Sequence, residues 1–254
     1  MIDLHSHVLP GVDDGAATLE DSVAMARAAA ADGIRWLAAT PHVRDDYPTG
    51  AETMERLVRV VREAIERAGI ALELLPGGEI ALERLDVSDS DDLRRFGLGG
   101  NPRYLLVEFP YVGWPLGVEE RLFALRAKGV VPVLAHPERN HEVQEDPERL
   151  GSLVHSGCLV QVTAASLDGR LGRSSAACGR ALVDTGLAHM IASDAHHPSV
   201  RAIGMSAATR AVGSPELARW LTVDVPRAIV DDLPLPERPE QAARGGLLGR
   251  FRRS

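Results

Sequence analysis

Three short motifs place polar residues two positions apart: His5-Ser6-His7, Thr40-Pro41-His42 and Asp194-Ala195-His196. In an extended strand that spacing turns both side chains to one face. Glu79 follows Pro76-Gly77-Gly78, Glu108 ends the apolar run Leu105-Leu106-Val107, and His136 ends the run Val133-Leu134-Ala135. Asp14 lies in the loop Pro10-Gly11-Val12-Asp13-Asp14-Gly15, where Asp13 reads as the turn residue paired with Gly15. The candidates are five histidines (His5, His7, His42, His136, His196) and four carboxylates (Asp14, Glu79, Glu108, Asp194). Nitrogen and oxygen donors without sulfur suit Mn, Fe or Zn.

Each residue alone has a plainer reading. A His-x-His pair can cap a strand, and His136 can be a hydrogen-bonded core imidazole. Glu108 is sharper, because a carboxylate within an apolar strand is costly to bury unless paired or coordinated, and no cation adjoins it in sequence. Eight of them at or near the ends of apolar runs, with Asp14 on the loop leaving the first run, argue for one polymetal site on a shared rim. His141, His155, His189 and His197 lack that placement, although His197 is close enough to reach a bound ligand. Arg139, in His136-Pro137-Glu138-Arg139, and Arg201 leave metal-bearing runs, and guanidinium forks match phosphate oxygens. The plainer alternative for each arginine is an ion pair with Glu138 or Asp194. Metals and arginines at one mouth point to an anionic oxygen substrate, most simply a phosphate ester.

Other nucleophiles are excluded by inspection. Neither Cys158 nor Cys178 has an arginine six residues on, and the chain has no G-x-S-x-G elbow, Walker loop or dinucleotide fingerprint. Hydrolysis would then use a metal-activated water, whose pKa falls from about 15.7 toward about 7 on coordination.

These side chains need a scaffold, and the sequence supplies a rhythm of apolar run, loop, helix, glycine, apolar run, which demands a parallel sheet. Seven strands are predicted, over residues 2–7, 36–42, 72–79, 104–110, 131–136, 159–163 and 189–196. That count is one short of an eight-unit barrel, whose active site lies at the C-terminal ends of the strands. The first helix is expected after Thr18 as N-cap with Asp21 three residues on, ending at Gly33; others end at Gly69, Gly129, Gly157 and Gly186.

The length, 254 residues, suits one α/β domain, expected over 1–233 with an inserted helix and loop at about 83–103. Residues 234–254, rich in Pro, Arg and Gly, read as a basic disordered tail. A net charge of -8 argues against a nucleic-acid binder, and two cysteines are too few for a disulfide framework, so they are expected as small buried hydrophobes. With no apolar run near the roughly 20 residues of a membrane helix and no signal-peptide pattern, the chain is expected to be cytoplasmic.

The blocks Met1 to Ala16, Ala39-Thr-Pro-His42, Pro76-Gly-Gly-Glu-Ile80, Leu106-Val-Glu-Phe-Pro110, Ala135-His-Pro-Glu-Arg139 and Ala192-Ser-Asp-Ala-His196 resemble bacterial PHP-type (polymerase and histidinol phosphatase) tyrosine phosphatases, the CpsB/CapC/YwqE-like enzymes of capsule and exopolysaccharide operons. The resemblance spans about residues 1 to 205. It implies a distorted seven-stranded TIM-like barrel and a trinuclear, usually manganese-dependent centre. By matching position, His5, His7, Glu79 and Asp194 would hold one ion; Glu79 would bridge to a second shared with Glu108 and His136; Asp14, His42 and His196 would hold the third. Arg139 and Arg201 would match the phosphate-binding arginines. One departure is Gly78, where many members carry a bulkier residue.

The activity then expected is removal of phosphate from protein phosphotyrosine, on the tail of a bacterial autokinase that controls polysaccharide export. Two rivals stand beside it: a small-molecule phosphatase such as histidinol-phosphatase, and a catalytically idle binding module stabilised by metals.

Overall fold

The computed structural model describes residues 1–87, 90–199 and 202–240. Arg201, Asp89 of the insert and residues 241–254 of the expected tail lie outside the described residues.

Each of the seven expected runs contains a strand, but the first and last are shorter than expected, leaving His5–His7 and Asp194–His196 beyond the strand ends, and two others break. The second divides around Ala39–Pro41 and the third around Pro76–Gly78, where proline removes a ladder donor and paired glycines add no packing side chain. Nine short strands result: β1 (Ile2–Asp3), β2 (Trp36–Ala38), β3 (His42–Val43), β4 (Glu73–Leu75), β5 (Glu79–Ala81), β6 (Tyr104–Glu108), β7 (Val131–Ala135), β8 (Leu159–Thr163) and β9 (Met190–Ala192). They form two parallel sheets, β1-β2-β4 and β3-β5-β6-β7-β8-β9, in place of the single sheet predicted. The fold is mixed α/β. Backbone hydrogen bonds continue past the strand ends, from His7 N to Ala195 O (2.8 Å), Asp194 N to His5 O (2.9 Å) and Thr40 N to Ser6 O (2.8 Å).

The breaks matter for the site. His42 and Glu79 open the second segments of their runs and face each other as register partners, while Glu108 is the last residue of β6 and His136 follows β7. The strands themselves are almost wholly buried, as expected for a parallel sheet covered on both faces.

The helices follow the sequence rules. Thr18 and Asp21 close a capping box on the helix Leu19–Ala31, which stops before Gly33 at φ 90°. The helix Ala51–Arg67 buries Met54, Leu57, Val58, Val61 and Ile65 at spacings of three and four, the pattern of a helix lying on a sheet. In the insert, Leu93, Phe96 and Leu98 join the core, so this segment packs as part of the domain. Phe96 also explains Gly78: a Cβ there would lie 2.6 Å from the Phe96 ring. Both cysteines are buried.

Two features were not read from the sequence. Helical segments run through Met205–Val212 and Pro215–Val230, the latter with a π-helical turn at Trp220–Asp224, and this region packs against β1 and β9. Residues 234–240, assigned to a disordered tail, are anchored instead. Trp220 Nε1 donates to Pro236 O at 3.0 Å, and the Arg238 guanidinium donates to Val183 O at 2.5 Å while lying 5.6 Å from the Trp220 ring. A buried indole N–H needs an acceptor, and this segment supplies it.

Beside that anchor, burial moves the His189 pKa down to about 4, with the Arg238 guanidinium acting in the same direction. Val160 N donates to His189 Nδ1 at 3.2 Å, which the neutral ring accepts. The unfolded chain binds a proton near 6.5 that the folded chain refuses until about 4, so stability present above pH 6.5 is lost as pH falls through that window. His189→Gln, which keeps an acceptor, is expected to flatten the fall of Tm between those pH values. Parallel Tm profiles for the two proteins would refute the assignment.

Candidate metal centre

All nine predicted ligand positions converge. The groups within ligand reach of one another are His5, His7 and Asp194; His5, Glu79 and His136; His42, Glu79 and Glu108; and His7, Asp14, His42 and His196. Seven of the nine residues are buried, at most 5% exposed, whereas the side chains of Glu108 and Asp14 are 11% and 42% exposed. The cluster is therefore a sunken floor open on the Asp14 and Glu108 sides. His136 and Asp194 both take left-handed backbone conformations (φ 38° and 52°), costly for residues with a Cβ and typical of positions held in place for function.

Distances at the centre test whether ions fit. His5 Nε2 and His7 Nε2 are 3.3 Å apart. Each lies 3.3 to 3.4 Å from Glu79 Oε2 and from Asp194 Oδ1. Donor atoms 3.3 to 3.4 Å apart are spaced to share one ion at about 2 Å from each, the bond length from a divalent transition metal to imidazole nitrogen or carboxylate oxygen. Glu79 Oε2 and His42 Nδ1, 3.0 Å apart, are both buried without a hydrogen bond. Buried polar atoms at close range that do not hydrogen-bond are the signature expected of a shared cation.

The outward ring nitrogens support this. His7 Nδ1 donates to Asp13 Oδ2 at 2.8 Å and His5 Nδ1 to Gln161 Oε1 at 2.9 Å. In the neutral rings both Nε2 lone pairs then face the same space, an arrangement a cation stabilises. Electrostatics agree. Burial alone would lower His7 and His42, yet the surrounding carboxylates outweigh it, raising His7 well above its ordinary value and His42 to about 9. Hydrogen bonds from His196 and His42 hold Asp14 far below the usual carboxylate range. Positive charge is drawn into this cluster, and divalent ions are the form in which nitrogen and oxygen donors accept it together.

Several supporting residues escaped the sequence reading. Asp13 is the expected turn residue, accepting from Gly15 N at 2.9 Å, but its Oδ2 also accepts from His7 Nδ1 and from His42 N at 3.0 Å. Asp13→Ala is expected to weaken metal binding about 10- to 100-fold, the usual effect of losing a carboxylate behind a ligand histidine. Competition against a chelating dye measures it, and unchanged affinity would contradict that role. Gln161 sits in the apolar run Leu159-Val160-Gln161-Val162, the same signal that singled out Glu108. Arg44 NH1 donates to Glu108 Oε1 at 3.1 Å, supplying the cation that Glu108 lacks in sequence. Glu138 is buried and accepts from Thr163 N and Ser166 Oγ, tying down the turn that carries His136 and Arg139.

Arg139 reaches the cluster, donating through NH1 to Asp194 Oδ2 at 2.6 Å, with its guanidinium 4.7 Å from the Tyr111 ring. His197 is exposed and bonded to Ser199, and His141 pairs with Glu145; neither joins the cluster. Beside Glu108 opens a cleft of about 390 Å³, lined among others by Arg44, Leu82, Pro110 and Tyr111.

Residues 1–222 match the family model for capsular polysaccharide synthesis, CpsB/CapC. The chain is 38% identical over 202 residues to the tyrosine-protein phosphatase YwqE of Bacillus subtilis (strain 168), covering 79% of each protein. It is 31% identical over 197 residues to a putative tyrosine-protein phosphatase, CapC, of Staphylococcus aureus, covering 77% of each. A solved chain from the crystal structures of YwqE and of CpsB from Streptococcus pneumoniae, described as unique metal-dependent tyrosine phosphatases, superposes with a TM-score of 0.84 at 33% identity, over 95% of this chain and 100% of that one.

Proposed function

The chain belongs to the CpsB/CapC family of capsular polysaccharide synthesis, and from that premise we propose that it is a metal-dependent protein-tyrosine phosphatase acting on the phosphotyrosine tail of a bacterial autokinase that controls polysaccharide export. The observation that carries this is the convergence of donor atoms: His5 Nε2 and His7 Nε2 lie 3.3 Å apart, and each lies 3.3 to 3.4 Å from Glu79 Oε2 and from Asp194 Oδ1. In this reading three divalent ions, manganese in the first instance and iron or zinc otherwise, are held by those four residues, by Glu79 with Glu108 and His136, and by Asp14 with His42 and His196. The two sheets are read as parts of one distorted seven-stranded barrel domain over 1–233, and the enzyme is placed in the cytoplasm. No helix among the described residues is long and apolar enough to cross a membrane.

When bound, the ions supply a water activated at neutral pH and neutralise charge on the phosphoryl oxygens. The chain's own residues do the rest. Asp13 and Gln161 fix the His7 and His5 rings so that Nε2 faces the ions. Arg139 and Arg201 bind phosphoryl oxygens, spreading the charge that develops during transfer. Arg139 enters this role from its bond to Asp194, so it also fixes the orientation of that ligand. The tyrosine phenol has a pKa near 10, and its anion leaves more readily than an alkoxide, so no dedicated general acid is required.

The test is turnover by the Mn²⁺-loaded protein on a phosphotyrosine peptide and on histidinol phosphate. Hydrolysis of the peptide, with histidinol phosphate cleaved far more slowly, is expected. The reverse preference would identify a small-molecule phosphatase. Tight metal binding with no cleavage of either would leave a binding module.

A further inference from the structure

The cleft beside Glu108 has a wall that metal chemistry does not explain. Tyr111 lies against the His136 ring (centroids 5.6 Å apart, planes at 19°) and against the Arg139 guanidinium, yet it remains 42% exposed. Its ring lines the cleft together with the apolar Ala81, Leu82 and Pro110, and Glu108 borders the same space. The volume, about 390 Å³, is ample for a phenyl ring; a cavity of roughly 150 Å³ already holds benzene. An aromatic side chain already pinned by two neighbours loses little further freedom when a second ring packs on it.

Resting on the phosphatase reading above, we infer that this cleft receives the phenyl ring of the substrate phosphotyrosine and that Tyr111 is the residue selecting an aromatic leaving group. Glu108 joins the cleft to the metal cluster, so a phosphoryl group at the cluster places its ring between Tyr111 and Leu82. The phosphate is then read by the cluster and the ring by the cleft, two separable parts of recognition.

The molecule provides its own control. Tyr47 stacks on His42 in the same way (5.7 Å, 15°), with the Arg44 guanidinium 5.3 Å from its ring, but it does not line the cleft. A role limited to steadying a ligand histidine is common to both tyrosines; contact with the substrate ring belongs to Tyr111 alone.

With the Mn²⁺-loaded full chain, Tyr111→Ala is expected to raise KM for a phosphotyrosine peptide roughly tenfold, the loss of one aromatic pair and its buried area. Inhibition by inorganic phosphate, which has no ring, is expected to stay within about twofold, and the KM rise in Tyr47→Ala, which loses only a stacking partner of a ligand histidine, is expected to be several-fold smaller than in Tyr111→Ala. Tyr111→Phe is expected to keep the native KM. An unchanged KM in Tyr111→Ala, phosphate inhibition weakening in step with KM, or an equal rise in Tyr47→Ala would overturn the inference. A wild-type protein inactive on the peptide would instead sink the phosphatase reading itself, a result distinct from an active enzyme indifferent to Tyr111.

Discussion

Glu79→Gln is expected to lower kcat on a phosphotyrosine peptide by about a thousandfold or more, equivalent to roughly 4 kcal/mol of transition-state stabilisation. The reason is its position. Glu79 Oε2 lies 3.4 Å from His5 Nε2, 3.3 Å from His7 Nε2 and 3.0 Å from His42 Nδ1, while Oε1 lies 2.7 Å from His136 Nε2. Glu79 thus touches four of the five candidate ligand histidines. Glutamine keeps the shape and packing, so the fold should survive, but it removes a full negative charge from the middle of the cluster. Bound metal per chain should therefore fall together with turnover. A variant that keeps the native metal content and rate would show that the carboxylate is not a ligand.

Gly15→Ala is expected to be nearly as damaging by a different route. A Cβ at position 15 would lie 2.1 Å from the His7 carbonyl oxygen, 2.4 Å from His7 Cβ and 2.9 Å from Asp13 Oδ1. Two of those contacts are with backbone or with the first side-chain atom, which cannot swing aside, so the loop must move and carry His7 and Asp13 with it. Overpacking of this kind costs about 3 kcal/mol or more, which for a domain of this size lowers Tm by roughly 10 °C. The metal-dependent activity should be lost even below that Tm. Gly151→Ala is the comparison, since nothing lies within 4 Å of that position and its φ of -56° suits any residue. Equal behaviour of the two variants would disprove the steric account.

Much of the candidate site was legible because its chemistry is local. His5 and His7, or Asp194 and His196, announce themselves by spacing, and the apolar runs before Glu108 and His136 fix where those side chains emerge. Helix ends were legible for the same reason: Thr18 with Asp21, and Gly33, act through neighbours a few residues away. What stayed hidden depends on register across the fold. His5 and Gln161 are 156 residues apart, and Arg44 and Glu108 are 64 apart; no pattern along the chain links them until parallel strands set their ends side by side. The broken runs at Pro41 and Pro76 were visible as prolines, yet their consequence, two sheets where one was expected, depends on which neighbour loses its ladder donor. The composition of residues 234–240 matches disorder, yet Pro236 and Arg238 are held by an indole N–H and by carbonyl groups that only the folded chain presents.

In the proposed mechanism, clustered imidazoles and carboxylates gather divalent ions, and these ions do the chemistry. Stepwise return of Mn²⁺ to chelator-treated protein, with bound metal measured by elemental analysis and phosphotyrosine-peptide hydrolysis followed in the same samples, tests it most directly. Activity should be absent at the start, rise with bound metal and level off when the cluster is full. Full activity in protein shown to contain no metal would rule out a metal-dependent reaction.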